Sequence, residues 1–171
     1  MESTPTEERE PSQNRDAQSW APLVDKIRAA GPDGAANLVQ GRRLQGPLQG
    51  FGKMWQKTYR VRLGEAAAPS QVISAWKENF PSFWPQGNRF YPPLTGIAPG
   101  EVALISLSAG PMRLSTGVMV LYADEESFTL MTPQGHMFAG WITFSAFVED
   151  DTTVAQTQVL MRAQDPWPRS A

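Results

Sequence analysis

EVALISLSAG PMRLSTGVMV LYADEESFTL MTPQGHMFAG WITFSAFVED DTTVAQTQVL MR, residues 101–162, decides the architecture. Five segments within it, 102–108, 113–122, 127–132, 137–148 and 152–162, are rich in Val, Ile, Leu, Phe and Thr, residues suited to a pleated, half-buried surface. Ala109-Gly110-Pro111, Asp124-Glu125-Glu126, Pro133-Gln134-Gly135 and Glu149-Asp150-Asp151 separate them with turn chemistry. Parallel neighbours need a crossover of a dozen or more residues, and these links are far shorter. The stretch therefore reads as an antiparallel meander.

Upstream, WQKTYRVRL at 55–63 alternates apolar 55, 59, 61 and 63 with polar 56, 58, 60 and 62, interrupted only by Lys57. That is a period-two strand expected to bury one face. Pro69 suits a first helical turn, and Val72, Ile73, Trp76 and Phe80 then form one apolar helix face. Residues 81–84 are expected to add a short helical turn. Pro85, Gly87, Pro92, Pro93, Pro99 and Gly100 punctuate a loop-rich passage around Phe90 and Tyr91. One strand, one or two helices and five further strands make an α+β domain with a sheet of about six strands.

Residues 1–18 are polar, with Glu2, Glu7, Glu8 and Glu10, and are expected to form a disordered tail. They lack the apolar run of a secretory signal, and no stretch approaches the roughly 20 residues that span a bilayer. A cytoplasmic location is expected. Residues 19–52 read as a short helix followed by a Gly-rich connector. Ser19 would cap the helix, Trp20, Leu23, Val24 and Ile27 would form its apolar face, and Gly31-Pro32 would end it.

The chain has 171 residues, 41% of them hydrophobic, enough for one core. With no Cys there are no disulfides, thiolate metal sites or thiol nucleophiles, and one His rules out a multi-His metal cage. No metal or cofactor is expected. A net charge of −2 gives no global reason for a nucleic-acid partner. Basic residues do gather early, at Lys26, Arg28, Arg42, Arg43, Lys53, Lys57, Arg60 and Arg62. Arg60 and Arg62 fall on a strand's polar face, where solvated charge balanced by the acidic turns is the expectation.

In 138–148, FAGWITFSAFV, both alternating faces are apolar: Phe138, Ile142, Phe144 and Val148 on one, Trp141 and Phe147 on the other. A sheet covered on both sides, one curved around a helix or cavity, or a partner surface would each account for this. The order strand, helices, antiparallel meander resembles the helix-grip fold of the START-like (SRPBCC) superfamily. Residues 48–63 (LQGFGKMWQKTYRVRL), 88–93 (NRFYPP) and 132–145 (TPQGHMFAGWITFS) look like an uncharacterised bacterial branch of it. The resemblance covers roughly residues 40–167 and implies a helix-grip domain over 53–167, with a curved sheet and a cavity for a hydrophobic, lipid-like or polyketide-like ligand. In that superfamily a long closing helix usually ends the chain, whereas Pro166 and Pro168 here interrupt the final residues. The segment 20–27, a partner subunit or an open groove would then stand in for that helix.

Candidate ligand-binding residues are Trp76, Phe80, Trp84, Phe90, Tyr91, Met131, His136, Phe138 and Trp141. Apolar and aromatic side chains with few polar groups line most small-molecule sites, although the same aromatics would equally fasten helix to sheet. Trp84, followed by Pro85, is the one of the aromatics at 76–91 expected to be partly exposed. His136 is the sole imidazole and the one candidate acid–base for a cyclase, dehydratase or hydrolase; a turn histidine bonded to backbone is the plainer expectation. No Gly-x-Ser-x-Gly elbow or phosphate loop occurs. Lys57, on the apolar face of its strand, either reaches solvent or pairs with a carboxylate such as Glu101. A third reading is a protein-interaction module or homodimer that uses the uncovered sheet. Binding of a small hydrophobic ligand leads, with no catalytic residue assigned.

Overall fold

The computed structural model describes residues 17–22, 40–64, 67–84, 86–93, 95–136 and 138–163. Among these residues seven antiparallel strands are joined: β1 (Phe51–Gly64), β2 (Arg89–Tyr91), β3 (Val102–Ala109), β4 (Met112–Ala123), β5 (Ser127–Met131), β6 (Phe138–Glu149) and β7 (Thr152–Ala163). Their order is β1-β7-β6-β5-β4-β3-β2, an open sheet with β1 and β2 at its edges. One α-helix, α1 (Pro69–Asn79), lies against β6 and β7. The fold is α+β and helix-grip, with one strand more than the sequence reading. The addition is β2, three residues paired with β3.

Local chemistry accounts for α1. Pro69 opens it, and Gln71 accepts a hydrogen bond from the Ala68 backbone N–H at 3.0 Å, satisfying a donor at the helix start. Pro81 lacks the N–H needed to continue the helix, and the chain tightens into a 3₁₀ turn over Phe80–Phe83. The face predicted for the helix is the face that packs. Ile73 is 0% exposed, while Val72 and Trp76 press onto the core from its flank.

Register defines two faces of the sheet. Phe128 pairs with Phe144, and Phe144 with Thr157; these residues face α1. Trp76 meets Phe144 edge-on at 5.0 Å, and Phe80 stands edge-on to Phe90, Phe128 and Phe144. On the outer face, Met131 pairs with Trp141 and Met119 with Val102. That face is partly covered by 44–50: the Gln45 N–H donates to Thr132 O at 2.8 Å, and Gly46 lies so close to Met131 and Trp141 that an added Cβ would touch both. Thus β6 is apolar on both faces because different segments cover each.

Three sequence expectations are corrected. First, β1 buries no face: all fourteen of its residues are exposed, since α1 lies over β6 and β7 and stops short of this edge. Second, residues 20–22, the expected start of the helix capped by Ser19, are not helical. Residues 17–19 form a 3₁₀ turn, Trp20 bridges to Tyr122, and the Ala21 N–H donates to Leu121 O at 2.8 Å. The chain there extends β4's edge beyond the start of β3. Its ring contact, 4.8 Å from Tyr122, is on the outer face. Third, the connector is not featureless, for Leu44 bridges to Pro133 and Pro47–Gln49 is a 3₁₀ turn. The expected tail over 1–16, the rest of the 20–27 segment and the proline-interrupted end lie outside the described residues.

Candidate functional site

The helix fills only part of the sheet face it covers. Next to the Phe80 cluster a cavity of about 130 Å³ opens between Trp84 and the adjoining ends of β4, β5 and β6. Its floor is Val118, Leu130, Ile142 and Phe144, with Met161 reaching in from β7, and the lining is almost wholly apolar. These residues share a face by pairing: Leu130 opposes both Val120 and Ile142, and Ile142 opposes Val159. Trp84 walls the cavity because it stacks on Phe90 at 5.7 Å and 15° and meets Phe80 edge-on.

Gly140, in β6 beside the cavity, lies very close to the backbone of β7. Its φ is +154°, and a Cβ there would run into the Leu160 carbonyl oxygen and Met161 Cα of β7. Glycine is required by this close approach of backbones. Thr132, also at the rim, accepts a hydrogen bond from the Gly140 N–H and donates to backbone carbonyl oxygen, so its hydroxyl is engaged.

His136 borders the cavity at the β5–β6 turn. Burial pushes its imidazole down from 6.5 to about 4, so it is neutral at pH 7. The Phe138 backbone N–H donates to Nδ1 at 3.0 Å. Nδ1 is therefore the acceptor, and the ring proton sits on Nε2. His136 is thus the backbone-bonded turn residue and, among the described residues, the only titratable group lining the cavity. A second cluster of charges lies elsewhere. The Lys77 ammonium donates to Asp124 O at 2.6 Å, and burial lowers its pKa against the raising effect of Asp124 and Glu125. Burial alone would raise Asp124; the Tyr122 hydroxyl and the Glu126 and Ser127 N–H groups outweigh it and hold that carboxyl low. This cluster fastens α1 to the β4–β5 turn.

Of the nine residues picked from sequence, Trp84, His136 and Phe138 come together around the cavity, whereas Trp141 borders it from β6 with its ring turned to the outer face, beside Gly46. Trp76, Phe80 and Phe90 pack instead in the solid aromatic core beside it. Tyr91 is exposed on the edge strand β2, and Met131 is on the outer face under Gly46. Trp84 is half-buried, and the most exposed aromatic of the group is Phe83, at 63%. The floor residues Val118, Leu130 and Met161 had no individual signal. Counting register outward from the Asp150–Asp151 turn sets Met161 opposite Gly140, but a register shift between Val120 and Tyr122 defeats the same count from the Asp124–Glu126 turn. Lys57 forms no ion pair with Glu101; Arg60 and Arg62 share Glu149 at 3.5 and 3.1 Å, the balancing that the acidic turn suggested. Among the described residues there is no cluster of metal-ligating side chains, and no helix is long and apolar enough to cross a membrane.

No protein-family model matches the sequence, and no curated protein matches it. Among solved structures the chain is similar to Ara h 8.0201, with a TM-score of 0.43 and 12% identity over 67% of this chain and 82% of that one. It is also similar to a START superfamily protein from Mycobacterium smegmatis, with a TM-score of 0.45 and 20% identity over 68% of this chain and 81% of that one. Neither likeness assigns a ligand or a site residue to this chain.

Proposed function

We propose that this domain binds a small hydrophobic molecule, lipid-like or polyketide-like, whose apolar end enters the cavity beside Trp84. The observation that carries this is the apolar space of about 130 Å³ left open between the helix layer and the sheet. Apolar cavities of roughly 150 Å³ stay dry and accept a benzene-sized group. A larger cargo would continue over Met161 and Val159 onto the helix-side face of β1, where Trp55 and Tyr59 are 52% and 59% exposed. A neutral His136 with its proton on Nε2 can donate one hydrogen bond to an uncharged acceptor on the ligand.

Thermal denaturation with fatty acids, aromatic polyketides and simple aromatic rings tests the reading. Ligand at 100 times its Kd adds about 2.7 kcal/mol to the native state, which raises Tm by several degrees. An Ile142→Phe variant, which fills the floor, should lose that shift. No shift with any of these ligands at saturating concentration defeats the proposal.

An enzyme built on His136 has less behind it, because the lining offers no second titratable group to complete an acid–base pair. A homodimer through β1 is opposed by charge. Lys53, Lys57, Arg60 and Arg62 lie within one 14-residue strand that has no acidic residue, so two copies paired edge to edge would repel. Light scattering on the eluted protein separates these outcomes, with a monomer expected.

A further inference from the structure

The cavity has no charge of its own to meet an ionised ligand, but the sheet leads from its floor to one. Leu130 pairs with Ile142, Ile142 with Val159, and Val159 with Lys57. One row thus runs from the floor across β7 to the sheet edge. Neighbouring strands are about 4.8 Å apart, so the Lys57 strand is roughly 10 Å from that of Ile142. The residues sharing this face of β1, Trp55, Tyr59 and Val61, are uncharged, and so are their β7 partners Met161, Thr157 and Ala155. Lys53 joins Lys57 there: its Nζ sits 5.0 Å over the Trp55 ring. Trp55, half-exposed, thus lies between the two lysines in the strand, with the Lys53 ammonium over its ring and Lys57 two residues further along the same face. Unlike Arg60 and Arg62, neither lysine forms an ion pair among the described residues.

Inside the cavity the situation is reversed. The Thr132 hydroxyl is engaged with backbone, and His136 is uncharged at neutral pH. A carboxylate pushed in there would lose its hydration with no opposite charge to meet it.

Resting on the ligand-binding reading above, the geometry points to an amphipathic anion as the cargo. Its apolar chain or ring occupies the cavity and crosses Val159, and its carboxylate stays hydrated at the rim formed by Lys53, Trp55 and Lys57. Trp55 supplies apolar surface beneath the first carbons of the head group.

The test uses the full chain and three ten-carbon probes that differ only at the head: decanoate, decan-1-ol and decylamine. In low salt, decanoate should bind about fivefold tighter than the alcohol, the span of an exposed ion pair, and decylamine more weakly than either. The preference should shrink as salt rises toward 1 M. Exchanging both lysines, Lys53→Met with Lys57→Met, should bring decanoate and decan-1-ol to equal affinity, whereas Lys53→Arg with Lys57→Arg should keep the preference. Equal affinity for acid and alcohol in the parent protein overturns the charged rim and leaves the cavity reading standing. So does a preference that survives the double methionine exchange. Binding of none of the three probes removes the cavity reading and the rim with it.

Discussion

Phe80 and Phe83, three residues apart on one 3₁₀ turn, give the sharpest test of how the helix is held. Phe80 is 3% exposed, and its ring centroid lies 4.7 Å from Phe90, 5.0 Å from Phe144, 5.5 Å from Phe128 and 6.0 Å from Trp84. It joins the helix layer to β2, β5 and β6 at once. Truncation to alanine removes this burial and leaves a void bounded by three strands that cannot close together, a loss of about 3–5 kcal/mol. For a chain of this length each kcal/mol corresponds to about 2–4 °C, so Phe80→Ala should lower Tm by roughly 6–20 °C. Phe83 has no aromatic neighbour among the described residues, and Phe83→Ala should stay within about 0.5 kcal/mol. Urea unfolding followed by circular dichroism reads both, with the m-value unchanged if only the native contacts differ. Equal losses in the two variants, or a Phe80→Ala loss under about 1 kcal/mol, would refute the reasoning.

Three further outcomes follow from the same coordinates. Gly140→Ala should destabilise by about 1–3 kcal/mol in urea titration, because its Cβ has to displace the β7 backbone at Leu160 and Met161. His136 has a folded pKa of about 4 against 6.5 when unfolded, so between those values the unfolded chain binds the extra proton and this contribution to stability is lost as pH falls. Unfolding at pH 5 and pH 7 should differ by about 2 kcal/mol more in the parent than in His136→Phe, and an imidazole NMR titration with a midpoint near 6.5 would contradict it. Trp55→Ser with Tyr59→Ser should change stability by no more than about 0.5 kcal/mol per site while reducing fluorescence of an apolar dye, since both rings stand in solvent.

Much of the fold was legible because its signals are local. The five strands after Glu101 were bounded to within two residues, since period-two alternation and turn residues lie within the segments themselves. The Asp150–Asp151 turn has positive φ at both residues, the geometry of a tight hairpin of the primed type that Asp tolerates. Where the reading failed, a distant partner had decided the matter. Arg89–Tyr91 is a strand only because Leu104–Ser106 offers it an edge. Trp20 carries helical spacing, yet the free edge of β4 beyond Val102 draws Trp20 and Ala21 into an extended bridge. Of the site, the aromatics were visible and the floor was not, because Val118, Leu130 and Met161 become neighbours only through register across three hairpins.

The failure at β1 is the instructive one. Alternation at 55–63 reports that two faces of a strand differ in chemistry; it does not report that the apolar face is covered. In β6 the two statements coincide, since α1 lies over one face and residues 44–50 over part of the other. In β1 they separate, because α1 is eleven residues long and its apolar stripe of Val72, Ile73 and Trp76 is already satisfied by the Phe128–Phe144 pair. An unpartnered apolar stripe in water is disfavoured, by roughly 25 cal/mol for each Å² left exposed. Trp55, Tyr59 and Val61 nevertheless stand outside, on the face that continues from the floor of an apolar cavity, and Lys53 and Lys57, which form no ion pair among the described residues, stand on either side of Trp55 in the strand. A face that served only to complete the core would not carry Lys57 at its centre, where every neighbour in the row is aliphatic. An apolar path ending in cations is the pattern that an amphipathic anion would satisfy, and it ties the exposure of β1 to the cavity as two parts of one site.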